Sequence, residues 1–172
     1  MSAGVAVRPE APGDVAAIRR VHLEAFAPST GEADPVDALR ASEAYEPALC
    51  LVAEDDGEVV GHVAFSRAHV DGGAPVLALA PVAVRPAAQG RGVGSVLVRE
   101  GVARAAATEY AVVVLLGHPG YYPRFGFEPA AGLGIEAPFD VPPEAWMALP
   151  LPAYGPHLRG VVRFADAFGA VT

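Results

Sequence analysis

The residues best suited to chemistry are Gln89-Gly90-Arg91-Gly92-Val93-Gly94-Ser95, preceded by Val82-Ala83-Val84-Arg85-Pro86. Three glycines alternate at the head of a helical pattern, where each one inside the helix costs about 1 kcal/mol. Without Cβ atoms, such a turn lets a ligand approach first-turn N–H groups that have no acceptor within the helix. The helix dipole favours an anion there, so a phosphate is the expected guest. Charge placement agrees: residues 85–104 carry Arg85, Arg91, Arg99 and Arg104 against Glu100, a net +3 in a chain of net −8. The purely structural alternative is that the glycines permit close helix–strand packing and the arginines solvate a helix face. Residue identity excludes two other phosphate loops, because a dinucleotide fingerprint needs glycine where Ser95 stands and a Walker A loop needs lysine.

These residues must be positioned by secondary structure, and the pattern supplies it. Val76–Val84 reads as a buried strand, with a bulge or broken pairing expected near Pro81, which has no N–H to donate. A helix over Gly92–Ala107 presents Val93, Leu97 and Gly101 on one stripe, and Ala111–Leu116 is a second apolar strand. Strand, glycine loop, helix and strand form a βαβ unit with two parallel strands. Upstream, a strand over Val5–Val7 ends at Arg8-Pro9, and Asp14 caps a helix running to about Phe26. A shorter helix starts at Asp34-Pro35, after a loop over Pro28–Gly31. Leu49–Ala53 and Val59–Ser66 flank an Asp-Gly hairpin turn, and Asp71-Gly72-Gly73 is the next turn. Downstream lie a short helix over Gly120–Arg124, a short strand over Phe125–Glu128, a stretch from Ala137 to His157 with six prolines, and a closing strand over Gly160–Phe164.

Composition narrows the function classes. With 172 residues, 52% of them hydrophobic, and a mean hydropathy of +0.33, the chain suits one globular domain over residues 1–172. The apolar runs Ala111–Leu116 and Ala74–Val84 are shorter than the roughly 18 residues a membrane-spanning helix needs. Met1-Ser2-Ala3-Gly4 lacks a secretory pattern, which makes the cytoplasm the expected compartment. Cys50 is the only cysteine and the five histidines are dispersed, so neither a disulfide nor a metal cluster is expected. The net charge of −8 argues against a nucleic-acid partner. All twelve basic residues are arginine, which removes Schiff-base and PLP chemistry.

Gln89, Gly92 and Gly94 match the Q/R-x-x-G-x-G/A signature of the GNAT superfamily of N-acetyltransferases, and Pro81–Pro86 looks like that family's strand into its pyrophosphate loop. A second block, His118-Pro119-Gly120-Tyr121-Tyr122-Pro123-Arg124-Phe125-Gly126-Phe127, resembles the family's Y-x-x-x-G-F element. The resemblance spans about residues 5–130, with the proline-rich residues 137–172 completing the fold as in bacterial members of unassigned substrate. It implies an α/β (α+β) fold: a mixed, partly splayed β-sheet flanked by helices on both faces, with acetyl-CoA as cosubstrate between the two parallel strands. Backbone groups of Val82 and Val84 would pair with the pantetheine arm while Ala83 points away. Amides from Gln89 through Gly90, Arg91, Gly92, Val93, Gly94 and Ser95 would cradle the pyrophosphate, with Arg85 and Arg91 adding charge. The amide near Val82 would polarise the acetyl carbonyl.

By the same resemblance, Tyr122 is the general acid that protonates the departing thiolate, against the plainer reading of Tyr121 and Tyr122 as packing aromatics. The strand Val76–Val84 lacks the carboxylate base that many family members carry. His118 is the candidate base, directly or through water, or else a histidine that hydrogen-bonds its loop. His22, Glu24 and His62 are further candidates on the acceptor side. Residues 10–62 carry twelve acids and three arginines, net −9, which suits a cationic small-molecule or peptide amine acceptor. The expected activity is acetyl transfer to a primary amine in a ternary complex. A non-catalytic CoA-binding or sensing module on the same fold is the alternative, and a phosphate-ligand protein unrelated to CoA is a third reading. A homodimer is the default assembly for a small soluble enzyme.

Overall fold

The computed structural model describes residues 5–27 and 33–164, so the loop expected over Pro28–Gly31 lies outside the described residues. The backbone groups into two units. One comprises the chain up to Ser66 together with Ala80–Ala103, and the other comprises Arg67–Leu79 together with the chain from Arg104.

In the first unit, β1 (Val5–Pro9) pairs antiparallel with β2 (Tyr45–Asp55), and β2 with β3 (Glu58–Val70). β1 runs through Arg8 and Pro9 instead of ending before them. Pro9 occupies an edge strand, where a missing N–H disturbs only one side. The β2–β3 hairpin turns at Asp56 and Gly57, both at positive φ (52° and 79°), as the Asp-Gly signal requires. α1 (Val15–Ala25) buries Ile18, Val21 and His22, and α2 spans Ala33–Arg40. Asp14 holds the N-cap position, but its carboxylate accepts from the Ala11 N–H and from Arg8 instead of capping the helix.

β3 is buried on both faces from Val60 to Ser66, because helices cover both. Val52 and His62 are register partners and meet Ile18 and His22 of α1. On the other face, Gly61 and Gly101 make room for α3 (Val93–Ala106). A Cβ on Gly61 would lie 2.9 Å from Leu97, and one on Gly101 would lie 2.2 Å from the ring of Phe65. β4 (Ala74–Val84) adjoins β3, and its exit is fixed by the Arg85 N–H donating to the Val60 carbonyl at 2.9 Å.

In the second unit, Asp71-Gly72-Gly73 makes the expected turn, with Gly72 and Gly73 at positive φ. β4 pairs parallel with β5 (Val112–Leu116) through Leu77↔Val113 and Ala78↔Val114, and these pairs lie before the cis Ala80–Pro81 bond. The remaining strands are β6 (Glu128–Pro129), β7 (Ile135–Glu136), β8 (Trp146–Pro150) and β9 (Gly160–Arg163). β8 pairs antiparallel with all of β5, β6 adds to β8, and β9 pairs with the end of β3 and with β7. The strand expected over Phe125–Glu128 is thus displaced to Glu128–Pro129, because a 3-10 turn occupies Tyr122–Phe125 and ends at Gly126 in the left-handed region. The proline-rich stretch contains β8, whose Trp146, Met147 and Ala148 join or border a core with Val112, Val114, Ile135, Leu158 and Val162. The Trp146 indole N–H donates to the Ile135 carbonyl at 3.2 Å.

Candidate functional site

The glycine loop lies wholly in the first unit. After β4, Pro86–Ala88 forms a 3-10 turn, and Gly90 and Gly92 then take φ of 77° and 81°, conformations that suit glycine. Open space lies where a Cβ would stand on either residue. The first intrahelical bond of α3 runs from Val96 N–H to the Gly92 carbonyl at 3.0 Å, so the amides of Val93 and Gly94 precede the ladder. Gln89, Gly90, Arg91 and Gly92 are exposed, whereas Val93 is buried and anchors the helix start. The Gln89 amide nitrogen donates to the Val84 carbonyl at 2.9 Å, closing the loop on the strand it leaves. Ala83 is buried while Val82 and Val84 are half-buried.

The loop arginines are committed to carboxylates. Arg85 pairs with Glu24 at 3.2 Å and Glu58 at 3.8 Å, and Arg91 pairs with Asp55 at 2.9 Å. The excess positive charge read from residues 85–104 is thereby partly neutralised by acids of α1 and the β2–β3 hairpin. Glu24, expected on the acceptor side, serves this pairing.

Tyr122 and His118 lie in the second unit. The Tyr122 ring rests where a side chain on Gly117 would be, since a Cβ there would come within 2.4 Å of Tyr122 Cε2. It stands edge-on to Tyr121 and Phe127 at centroid distances of 5.0 and 5.9 Å. Burial, then Tyr121, pushes the phenol above its ordinary range, which keeps the proton on oxygen and the group a donor at neutral pH. His118 is exposed, and its carbonyl accepts from the Tyr121 and Tyr122 N–H groups at 3.1 and 3.3 Å.

A third group, back in the first unit, joins His22 and His62 to residues absent from the sequence reading. Glu10 Oε1 meets His62 Nε2 at 2.7 Å, and His62 Nδ1 meets His22 Nε2 at 2.9 Å. Glu10 Oε2 accepts from Arg40 Nε at 3.0 Å and from the Tyr45 hydroxyl at 2.7 Å. Burial alone would raise the Glu10 carboxyl, but hydrogen bonds from His62, Arg40 and Tyr45 outweigh it and hold the group at about 2. His22 is pushed down to about 3, first by burial and then by the charges of His62 and Arg40. His22 Nδ1 is buried with no hydrogen-bond partner. Glu10, Arg40 and Tyr45 were hidden because they come from three separate places, the exit of β1, α2 and β2. A histidine inside the apolar run Val59–Phe65 was the signal that a buried partner must exist.

Among the described residues, no three His, Cys, Asp or Glu side chains group so as to hold a metal ion, and no helix is long and apolar enough to cross a membrane. Cys50 is buried, with its thiol against the Phe65 carbonyl at 3.8 Å and pushed up to about 12 by burial and then by Glu10.

The Acetyltransferase (GNAT) family matches residues 16–127. The chain is 43% identical over 160 residues to the uncharacterised N-acetyltransferase YjhQ of Escherichia coli K12, covering 89% of this chain and 88% of that protein. The crystal structure of the GNAT family N-acetyltransferase YhbS from Escherichia coli in complex with CoA superposes with a TM-score of 0.88 at 33% identity, covering 98% of this chain and 94% of that one. A GNAT family acetyltransferase from Brucella melitensis in complex with acetyl-CoA does so with a TM-score of 0.78 at 38% identity, covering 95% and 97%.

Proposed function

Because the chain belongs to the GNAT acetyltransferase family, we propose that it moves an acetyl group from acetyl-CoA to a primary amine by direct attack within a ternary complex. Acetyl-CoA is the cosubstrate of the family. The single observation that carries the reading is the glycine loop at the head of α3, exposed and open where side chains would otherwise stand. That cradle fits a pyrophosphate, since Gly90 and Gly92 leave room for close approach and the α3 amides face it with the positive end of the helix dipole.

In this reading, Val82 and Val84 pair through their backbones with the pantetheine arm while Ala83 stays in the core. The N–H groups of Gln89, Gly90, Arg91, Gly92, Val93, Gly94 and Ser95 hold the pyrophosphate. The amide near Val82 polarises the acetyl carbonyl. As the amine forms the C–N bond and the C–S bond breaks, Tyr122 gives its phenolic proton to the sulfur. Burial favours the neutral, proton-bearing form of that phenol. His118, exposed at the exit of β5, is a candidate to take the amine's proton into solvent. The acceptor is a small molecule, an amino acid or a peptide N-terminus, favoured as a cation by the acid-rich residues 10–62. The whole chain acts as one domain in the cytoplasm, with a homodimer as the default assembly.

The test is a calorimetric titration with acetyl-CoA, CoA, ATP and NAD, followed by a thiol-release assay over a panel of amines. Micromolar binding confined to CoA compounds, with turnover on one of the amines, is expected. Comparable binding of ATP or NAD would sink the reading. CoA binding with no turnover would instead favour a sensing module, a reading supported by the lack of any carboxylate in β4.

A further inference from the structure

We propose that Asp55, at the end of β2, competes with a phosphate of the bound cosubstrate for the Arg91 guanidinium, and thereby lowers the affinity of the glycine loop for CoA compounds and hastens their release. This rests on the acetyltransferase reading, in which the loop holds a phosphate. The charges around the loop pose the question. Arg85 and Arg91 are paired with three carboxylates: Glu24 of α1 at 3.2 Å, Glu58 of β3 at 3.8 Å and Asp55 at 2.9 Å. All five residues belong to the first unit. Two positive groups against three negative ones leave a net −1 beside a cradle whose guest is an anion, so in these pairings the arginines supply no attraction. An exchange of partners restores it, because phosphate and carboxylate oxygens both accept charge-assisted hydrogen bonds from a guanidinium.

Arg91 is the arginine placed to make that exchange. It stands between Gly90 and Gly92, which take φ of 77° and 81° with open space where a Cβ would stand, and its own side chain is 42% exposed. Asp55 is the fixed partner. It pairs with Glu58 across the tight turn at Asp56 and Gly57, so its backbone is pinned by the hairpin and cannot follow the guanidinium toward a ligand. Arg85 differs on both counts. Its backbone N–H is held by the Val60 carbonyl, and its side chain is shared between Glu24 and Glu58, so the loss of one carboxylate leaves the other in place.

The Asp55–Arg91 pair is also weak enough to give way. With 23% of the Asp55 side chain and 42% of the Arg91 side chain open to water, it is a solvent-screened ion pair, equivalent to a change of about fivefold at most in an equilibrium constant. A phosphate seated on the loop amides takes the guanidinium, but its affinity is reduced by the pair it has to replace. When CoA leaves, Asp55 recaptures Arg91, which places the effect in the dissociation rate.

The test is a double-mutant cycle on the full chain, with CoA and acetyl-CoA affinities measured by calorimetry and CoA release by stopped-flow displacement at one ionic strength. Asp55→Asn removes the charge and keeps the size of the side chain. It should tighten both ligands about two- to fivefold and slow CoA release by the same factor. In an Arg91→Ala background, the same substitution should change affinity by less than about 1.5-fold, because no guanidinium is left to contest. An equal gain in both backgrounds means that Asp55 only repels the anion from a distance, and overturns the inference. Unchanged or weaker binding by Asp55→Asn overturns it as well. Should Asp55→Asn fail to fold, Asp55→Ser carries the same expectations. If the wild type binds neither CoA nor acetyl-CoA, the acetyltransferase reading fails and the exchange falls with it. If the wild type binds both and the two backgrounds respond alike, the exchange alone fails.

Discussion

Burial shifts Tyr122 and His22 in opposite directions. Burial raises the phenol and lowers the imidazole to about 3, in both cases favouring the uncharged form. Tyr122→Phe should lower kcat about 100-fold while leaving acetyl-CoA affinity within twofold, as expected for an acid that acts only in the chemical step. Calorimetry and thiol release measure the two effects separately. The buried network also sets a direction for acid stability. The folded His22 sits at about 3 against an ordinary 6.5, so below pH 6.5 the unfolded chain binds the extra proton and stability falls. Glu10 sits at about 2 against an ordinary 4.5, so its contribution is complete above pH 4.5 and is lost as pH falls toward 2. Thermal midpoints should therefore decline below pH 6.5 and more steeply below 4.5. His22→Gln should flatten the first interval and leave the second.

At the level of elements, α3 depends on two glycines for different reasons. Gly92 takes a φ of 81° in open space, so Gly92→Val adds backbone strain of about 1–2 kcal/mol and puts a branched side chain into the cradle. Acetyl-CoA affinity should fall at least about tenfold in a protein that still folds, as that strain is small beside typical domain stability. Gly101 faces Phe65, which is fully buried, and a Cβ there would lie 2.2 Å from the ring. Gly101→Ala should destabilise by about 1–3 kcal/mol despite alanine's better helix propensity, seen as a lower urea midpoint. The elements that the sequence made legible were those with local signals: the Asp56-Gly57 hairpin, the Gly72-Gly73 turn, the glycine loop and α3. β8 was not legible because Pro142, Pro143 and Pro150 surround a short apolar run, and its partner β5 lies some thirty residues earlier in the chain. The site divides in the same way. Loop residues follow from spacing, whereas the Glu10–His62–His22 chain depends on tertiary pairing among β1's exit, β3 and α1, and only the oddity of His62 in an apolar strand betrayed it.

For the whole molecule, the net charge of −8 matters more for encounter than for stability. Arg8, Arg85 and Arg91 already pair with Asp14, Glu54, Glu24, Glu58 and Asp55, so these acids contribute little to a long-range field. The remaining acid excess should still draw cationic amines. Raising the salt from 20 to 200 mM (about 20 to 7 Å of screening length) should lower kcat/KM for an alkylammonium acceptor by a few-fold. An acceptor uncharged at the assay pH should show no such dependence. Cys50 has a practical consequence for all of these measurements. Buried within β2 with its thiol against the Phe65 carbonyl of β3 and pushed up to about 12, the only cysteine of the chain should stay silent to disulfide reagents while the protein is folded. If the chain turns over as proposed, the sulfhydryl titrated in native protein should be that of released CoA, and denaturant added at the end of a run should expose one equivalent per chain, an internal standard for enzyme concentration.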